Sequence, residues 1–93
     1  MDNYTVKLLS RALEDLDKIY AYIASNLHEP GIAENVLDAL EEGILSLESM
    51  PYRFPERRTG SYANRGYRQL MVKNYAVIYR VDEAQKQVIV VTV

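Results

Sequence analysis

Arginine and tyrosine side chains cluster in the second half of the 93-residue chain, and both residue types can act on a phosphate group. Guanidinium groups stabilise the charge that develops in a phosphoryl transition state, and a tyrosine hydroxyl can transfer a proton. The candidate residues are Arg57, Arg58, Arg65, Arg80 and either Tyr62 or Tyr67. The ordinary pKa values of arginine and tyrosine lie far from neutrality, so acid–base catalysis would need large shifts. The same residues could also bind an anion without catalysing a reaction.

The other residues that could carry chemistry do not form a recognisable site. His28 is the single histidine of the chain, and the residues around it do not have the spacing of a catalytic triad or a metal site. The chain contains no cysteine, which excludes a thiol nucleophile, a disulfide and a thiolate metal site. Glu41 and Glu42 are neighbours on a predicted helix and therefore point about 100° apart, which does not suit a carboxylate pair. We assign no catalytic residue, and we expect no metal ion and no cofactor.

Charge is distributed unevenly along the chain, although the formal net charge is only −2. Residues 1–50 carry 3 basic and 10 acidic side chains, whereas residues 51–81 carry 7 basic side chains and one acidic side chain. An acidic protein is a poor non-specific binder of nucleic acid. A local basic surface still attracts anions, because salt screens charges only beyond about 10 Å. The basic region is therefore either an anion-binding surface or a solvated loop and strand.

The chain length fits a single domain spanning residues 1–93. The N-terminal sequence lacks the basic region and apolar run of a signal peptide. No stretch approaches the ~18 apolar residues that a membrane span requires. These features predict a cytoplasmic protein that makes no membrane contact.

The hydrophobic pattern predicts a two-layer α+β fold. Residues 4–8 alternate as a strand does, and Ser10 is the expected N-cap of a helix that reaches Leu27. Pro30 suits the first turn of a second helix, which should end at Met50 because a proline follows. Residues 51–66 form a long loop, and strands are expected at 67–73, 75–81 and 87–93. The architecture is thus an N-terminal strand, an antiparallel helical hairpin and a three-stranded antiparallel meander.

Lys73 and Asn74 are the expected turn residues between the first two strands of the meander, with the asparagine accepting a positive φ. This register places Leu70 opposite Val77 and turns both towards the helices. The opposite face is then an exposed surface of residue types common at binding hot spots. The partner-binding candidates on this face, its rim and the loop are Arg57, Arg58, Arg65, Tyr67, Met71, Lys73, Ile78 and Arg80. An ordinary solvated sheet face is the alternative.

Three segments, in this order, resemble the RelE/ParE superfamily of bacterial toxin–antitoxin toxins. They are YTVKLLSRALEDLDKIYAYIA near the start, SLESMPYRFPERR in the middle, and GYRQLMVKNYAVIYRVDE in the meander. The resemblance covers nearly the whole chain. It implies the α+β fold described above, with the first strand beside the last.

The resemblance also implies a function, which differs between branches of the superfamily. RelE-like members are ribosome-dependent mRNA endonucleases that use a strand arginine and further residues near the C-terminus. The strand arginine position falls on Ala76 here, and the C-terminal residues would lie beyond Val93. The chain is therefore closer to the ParE-like branch, whose members inhibit DNA gyrase by binding it. An mRNA endoribonuclease is the alternative, and a non-toxic relic that still binds an antitoxin is the second alternative.

The partner implied by the resemblance is a cognate antitoxin of a type II, plasmid-stabilisation system. Its C-terminal segment would fold on the toxin, giving a hetero-oligomer. Two surfaces could receive it: the groove between helices and sheet, or the hairpin face with Met71, Ile78 and Arg80. DNA gyrase, or alternatively the ribosome with its mRNA, would be the target.

Overall fold

A computed structural model describes residues 3–93 and shows two helices packed on one face of a four-stranded sheet. The elements are β1 (Thr5–Leu8), α1 (Ser10–Ala21), α2 (Pro30–Leu45), β2 (Arg68–Val72), β3 (Tyr75–Asp82) and β4 (Gln87–Thr92). The strand order is β1-β4-β3-β2, with β1 parallel to β4 and the other pairs antiparallel. The two-layer α+β prediction is confirmed, including the first strand beside the last.

Helix α1 begins differently from the prediction. Leu9, and not Ser10, occupies the N-cap position, with extended backbone and no side-chain capping bond. The reason is that the Leu9 N–H donates to the Val90 carbonyl at 3.0 Å, which keeps Leu9 attached to the sheet. At its other end α1 passes into a π-helical turn over Tyr22–Asn26, so the helical segment reaches almost as far as predicted.

Helix α2 starts at Pro30 as predicted but ends at Leu45, before the predicted end at Met50. A 3₁₀ turn over Ser46–Glu48 follows, and Met50 then adopts a left-handed conformation with φ of 50°. Arg53 stabilises this ending, because its Nη1 donates to the Ser49 carbonyl at 2.6 Å and its Nη2 to Ser46 Oγ at 3.1 Å. Side-chain donors of this kind satisfy carbonyls that a helix end leaves free.

The main core lies between the helices and the sheet. Its fully buried side chains include Leu40 and Leu47 from the helical segment and Val77, Val88 and Val90 from the central strands. Gly43 allows α2 to approach the sheet closely, since a Cβ there would lie 2.9 Å from Val72 Cγ2.

The hairpin register is confirmed, because Arg68 pairs with Tyr79 and Leu70 pairs with Val77. The turn differs in one detail: the positive φ, 53°, falls on Lys73 and not on Asn74. The sheet face away from the helices, here called the far face, also differs from the prediction. Ile78 is only 4% exposed there, so its assignment to an exposed binding surface is wrong.

Ile78 is buried because the long loop folds back over the far face. Ile78 forms a second apolar cluster with Ile89 and Val91, and Tyr62 and Tyr67 of the loop region pack against this cluster. The sequence pattern could not show this, since the loop has no periodicity that would indicate a buried side. None of the helices in residues 3–93 has the length and apolarity needed to cross a membrane.

A basic cleft, an apolar groove and a tyrosine–glutamate cluster

The loop is fixed in place because it pairs with the edge strand β2. The Arg57 N–H donates to the Tyr67 carbonyl at 2.7 Å, and the Gln69 N–H donates to the Pro55 carbonyl at 3.1 Å. A strand edge carries unpaired N–H and C=O groups, and the loop satisfies part of this edge. The arginines of the loop are therefore held on the sheet by backbone contacts.

The Arg57 side chain is held as well. Its Nε donates to the Ser61 carbonyl at 2.7 Å, and its Nη1 donates to Gln69 Oε1 at 2.9 Å. Gly60, at φ of 72°, lies beside the same guanidinium, and a Cβ there would come within 3.1 Å of Arg57 Nη2. The loop thus orients this arginine.

A cleft of about 840 Å³ opens between this loop, the start of β3, the end of β4 and the start of α1. We call it the basic cleft. Its lining residues are Arg11, Arg57, Gly60, Ser61, Tyr62, Ala63, Arg65, Asn74, Tyr75, Ala76, Ile78, Thr92 and Val93. Three arginines line it, and none of the described residues lining it is acidic. Two of them, Arg57 and Arg65, were predicted binding residues.

Arg11 was not predicted as a site residue, because its position on α1 gives no sequence signal for the cleft. Its Nε lies 3.7 Å from Asp15 Oδ1. The other oxygen of Asp15 accepts hydrogen bonds from the Thr92 hydroxyl and, at 3.1 Å, from the Val93 N–H. Although partial burial alone raises the pKa of Asp15, these hydrogen bonds outweigh it and lower the pKa. The carboxylate therefore attaches the end of β4 to α1.

Ile78 also lines the cleft. The other five predicted residues lie outside it. Within residues 3–93, the exposed side chains of Arg58, Lys73 and Arg80 make no hydrogen bond or ion pair. Met71 on β2 is 55% exposed. Tyr67 is half-buried, with its ring centroid 5.0 Å from that of Tyr62 in an edge-to-face arrangement. The structure thus distributes the eight predicted binding residues over a cleft, an exposed rim and an apolar cluster.

An apolar groove of about 280 Å³ lies between α1, α2 and β1. It is lined by Leu8, Leu13, Leu16, Glu41, Ile44 and Leu45. Leu13 and Leu45 at its rim are 53% and 58% exposed. Two leucines at this exposure beside a groove form an apolar surface that a partner could cover.

A cluster around Glu83 joins the β3–β4 turn to the start of the chain. Glu83 Oε1 accepts hydrogen bonds from the Tyr4 and Tyr52 hydroxyls, each at 2.8 Å, and its Oε2 is paired with Lys86. The Tyr4 and Tyr52 rings pack edge-to-face at 6.4 Å. The pairing with Lys86 and the two tyrosine hydrogen bonds lower the pKa of Glu83 to about 2. The ionised carboxylate is thus the favoured form in the folded chain.

We expect Glu83→Gln to lower the melting temperature at pH 7 and to have almost no effect near pH 2. The carboxyl pKa falls from about 4.5 to about 2 on folding, so its ionisation stabilises the fold above pH ~4.5, and this contribution is lost as the pH falls through 2. Thermal unfolding followed by circular dichroism at both pH values measures the difference. Glu34→Gln, on the exposed face of α2, is the matched control and should change little at either pH. A Glu83→Gln defect of equal size at both pH values would contradict this account.

The structure also bears on metal binding. Across residues 3–93, no three histidine, aspartate or glutamate side chains are grouped so that they could hold a metal ion.

Comparison with known proteins places the chain in a family. The profile for the ParE toxin of the type II toxin–antitoxin system parDE matches residues 6–93. The chain belongs to the ParE toxin family. It is therefore a type II toxin–antitoxin toxin of the RelE/ParE superfamily. A sequence comparison with curated proteins gave no match.

Two solved structures share the fold with this ParE-family chain. One is a chain of the chromosomal ParDE toxin–antitoxin system from P. aeruginosa, with a TM-score of 0.77 and 20% identity, covering 99% of this chain and 95% of that one. The other belongs to the toxin–antitoxin complex RelBE2 from Mycobacterium tuberculosis. Its TM-score is 0.70 at 23% identity, and the match covers 97% of this chain and 87% of that one.

Proposed function

We propose that this chain inhibits bacterial growth by binding DNA gyrase and that a cognate antitoxin neutralises it. The observation that carries the proposal is the match to the ParE family over residues 6–93. The gyrase target follows from the resemblance to ParE-like toxins, which act by binding and need no catalytic set. Residue 76 supports this choice, because alanine stands where RelE-like nucleases carry an arginine.

The antitoxin would occupy the apolar groove between the helices and β1. Leu13 and Leu45 are about half-exposed at its rim, and an amphipathic segment that folds on the toxin would bury them. The far face is the less suitable of the two surfaces considered from the sequence, because the loop already covers Ile78 there. The structural neighbours belong to toxin–antitoxin systems, which is consistent with an antitoxin partner.

The test is the incorporation of labelled precursors into DNA and protein minutes after the chain is induced in growing bacteria without antitoxin. We expect DNA synthesis to fall first, and we expect the purified chain to inhibit supercoiling by purified gyrase. Co-expression of the antitoxin is the control and should restore both syntheses. An early fall in protein synthesis, with cleaved transcripts on ribosomes, would replace the gyrase proposal by the mRNA endoribonuclease. If neither synthesis falls, the chain is an antitoxin-binding module without toxicity.

A further inference from the structure

We propose that the basic cleft is a binding site for a nucleoside phosphate, either free or at the end of a nucleic-acid strand. This inference goes beyond the proposed function and does not depend on it. The cleft holds about 840 Å³, within the range of ~300–1,000 Å³ that is usual for small-molecule sites. Its lining combines far-face residues, such as Ala76 and Ile78, with Arg11 of α1.

The charge of the cleft selects an anion. Arg11, Arg57 and Arg65 contribute three guanidinium groups, and none of the lining side chains among the described residues is acidic. Asp15 is the acidic side chain paired with Arg11, and one of its two oxygens already accepts hydrogen bonds from Thr92 and Val93. Three positive side chains with no acidic side chain in the lining favour a ligand that brings its own negative charge.

The arrangement of Arg57 favours a phosphate group. The Ser61 carbonyl and the Gln69 side chain take two of its donor groups and orient the guanidinium. Its Nη2 faces Gly60, where any larger residue would crowd it. An arginine held in this way loses little conformational entropy when it binds, and its planar set of donors matches phosphate oxygens.

The aromatic and amide side chains of the cleft favour a nucleoside on that phosphate. Tyr62 and Tyr75 line the cleft together with Asn74. Bases stack on aromatic rings, and an amide can donate to and accept from a base edge. The Tyr62 ring is supported from the side by Tyr67 at 5.0 Å, which fixes its orientation. An acidic peptide would use the arginines, but its aspartate and glutamate side chains would not stack on the two tyrosine rings as a base does.

The experiment measures binding of five probes to the full chain at low salt: AMP, adenosine, inorganic phosphate, a 5′-phosphorylated five-nucleotide single strand and an aspartate-rich peptide. We expect AMP to bind with a dissociation constant below about 1 mM, more tightly than adenosine or phosphate alone. Tighter binding of AMP than of the strand identifies a free-nucleotide site, and equal or tighter binding of the strand identifies a site that accepts a strand end. Either result supports the proposal. Absence of saturable binding of both, or tighter binding of an aspartate-rich peptide, overturns it.

Charge-reversal variants locate the site. Arg65→Glu is expected to weaken binding of AMP at least tenfold, because it places a negative charge in the cleft. Arg58→Glu is the matched control: an exposed arginine of the same loop outside the cleft, expected to change affinity less than twofold. Arg11→Gln is a second cleft variant, on a different element, in case the first variant perturbs the loop. Equal effects of Arg65→Glu and Arg58→Glu would mean a diffuse charge effect and would overturn the cleft assignment.

Discussion

Replacing Leu13 with glutamate is expected to weaken binding of the cognate antitoxin about 100-fold. Leu13 lies at the rim of the apolar groove and is 53% exposed. Complete burial of an exposed leucine contributes about 1.5–3 kcal/mol, and about half of this is available at Leu13. A factor of 100 corresponds to about 2.8 kcal/mol, so the added charge must supply the rest. The substitution removes this burial and adds a charge close to Glu41, which also lines the groove. Titration calorimetry of the purified toxin variant with the antitoxin measures the change.

The control is Ile32→Glu, which also places a glutamate at a half-exposed aliphatic position of a helix. Ile32 is 50% exposed on α2 but does not line the groove, so affinity should change less than threefold. A charge reversal of Lys73 and Arg80 to glutamate tests the other surface, which was considered from the sequence. If that double variant weakens binding more than Leu13→Glu does, the antitoxin lies on the far face and the groove assignment is wrong.

Replacing Tyr79 with phenylalanine is expected to destabilise the fold by about 1–3 kcal/mol. Tyr79 is fully buried, and its hydroxyl donates to the carbonyl of Pro51 at 2.6 Å. Burial raises the pKa of Tyr79 to about 12, so the hydroxyl remains a donor at any physiological pH. Without it, the carbonyl of buried Pro51 loses its partner, and an unsatisfied buried acceptor is costly. Thermal unfolding should show a melting temperature lower by about 4–8 °C per kcal/mol.

Tyr52→Phe is the matched control for Tyr79→Phe. The Tyr52 hydroxyl also donates a hydrogen bond, to Glu83 Oε1 at 2.8 Å, but this bond is exposed to solvent. Water can replace an exposed partner, so the expected loss is below about 1 kcal/mol. Because Pro51 begins the long loop, Tyr79→Phe should also reduce amide protection from hydrogen exchange in that loop. Unchanged stability and unchanged protection would show that the bond contributes nothing to holding the loop.

The sequence was sufficient for the fold because the local signals agree with one another. Pro30 marks the start of α2, and the apolar run of β4 matches a strand covered on both faces. The register of the β2–β3 hairpin followed from its turn, since a hairpin turn fixes which residues face each other. Arg68 therefore came out opposite Tyr79, as the structure has it.

The candidate site was only partly accessible from the sequence, and the missing part depends on the loop. The position of the loop is set by backbone pairing with β2 and by the contacts of Tyr62 and Tyr67 with the far face. Such contacts leave no periodic pattern in a segment of irregular structure, so Ile78 was wrongly expected to be exposed. Arg11 belongs to the cleft only because α1 and the end of β4 meet at Asp15. Asp15 and Val93 are far apart in the chain, so no sequence pattern indicated this contact.

The parallel pairing of β1 with β4 determines when the chain can complete its fold during synthesis. Thr5 pairs with Gln87 and Leu8 with Val90, so β1 has no strand partner until the last strand of the sheet has been made. Contacts between residues so far apart in the chain form late, and they lower the folding rate. A nascent chain on the ribosome therefore lacks the finished sheet, the basic cleft and the attachment of β4 to α1.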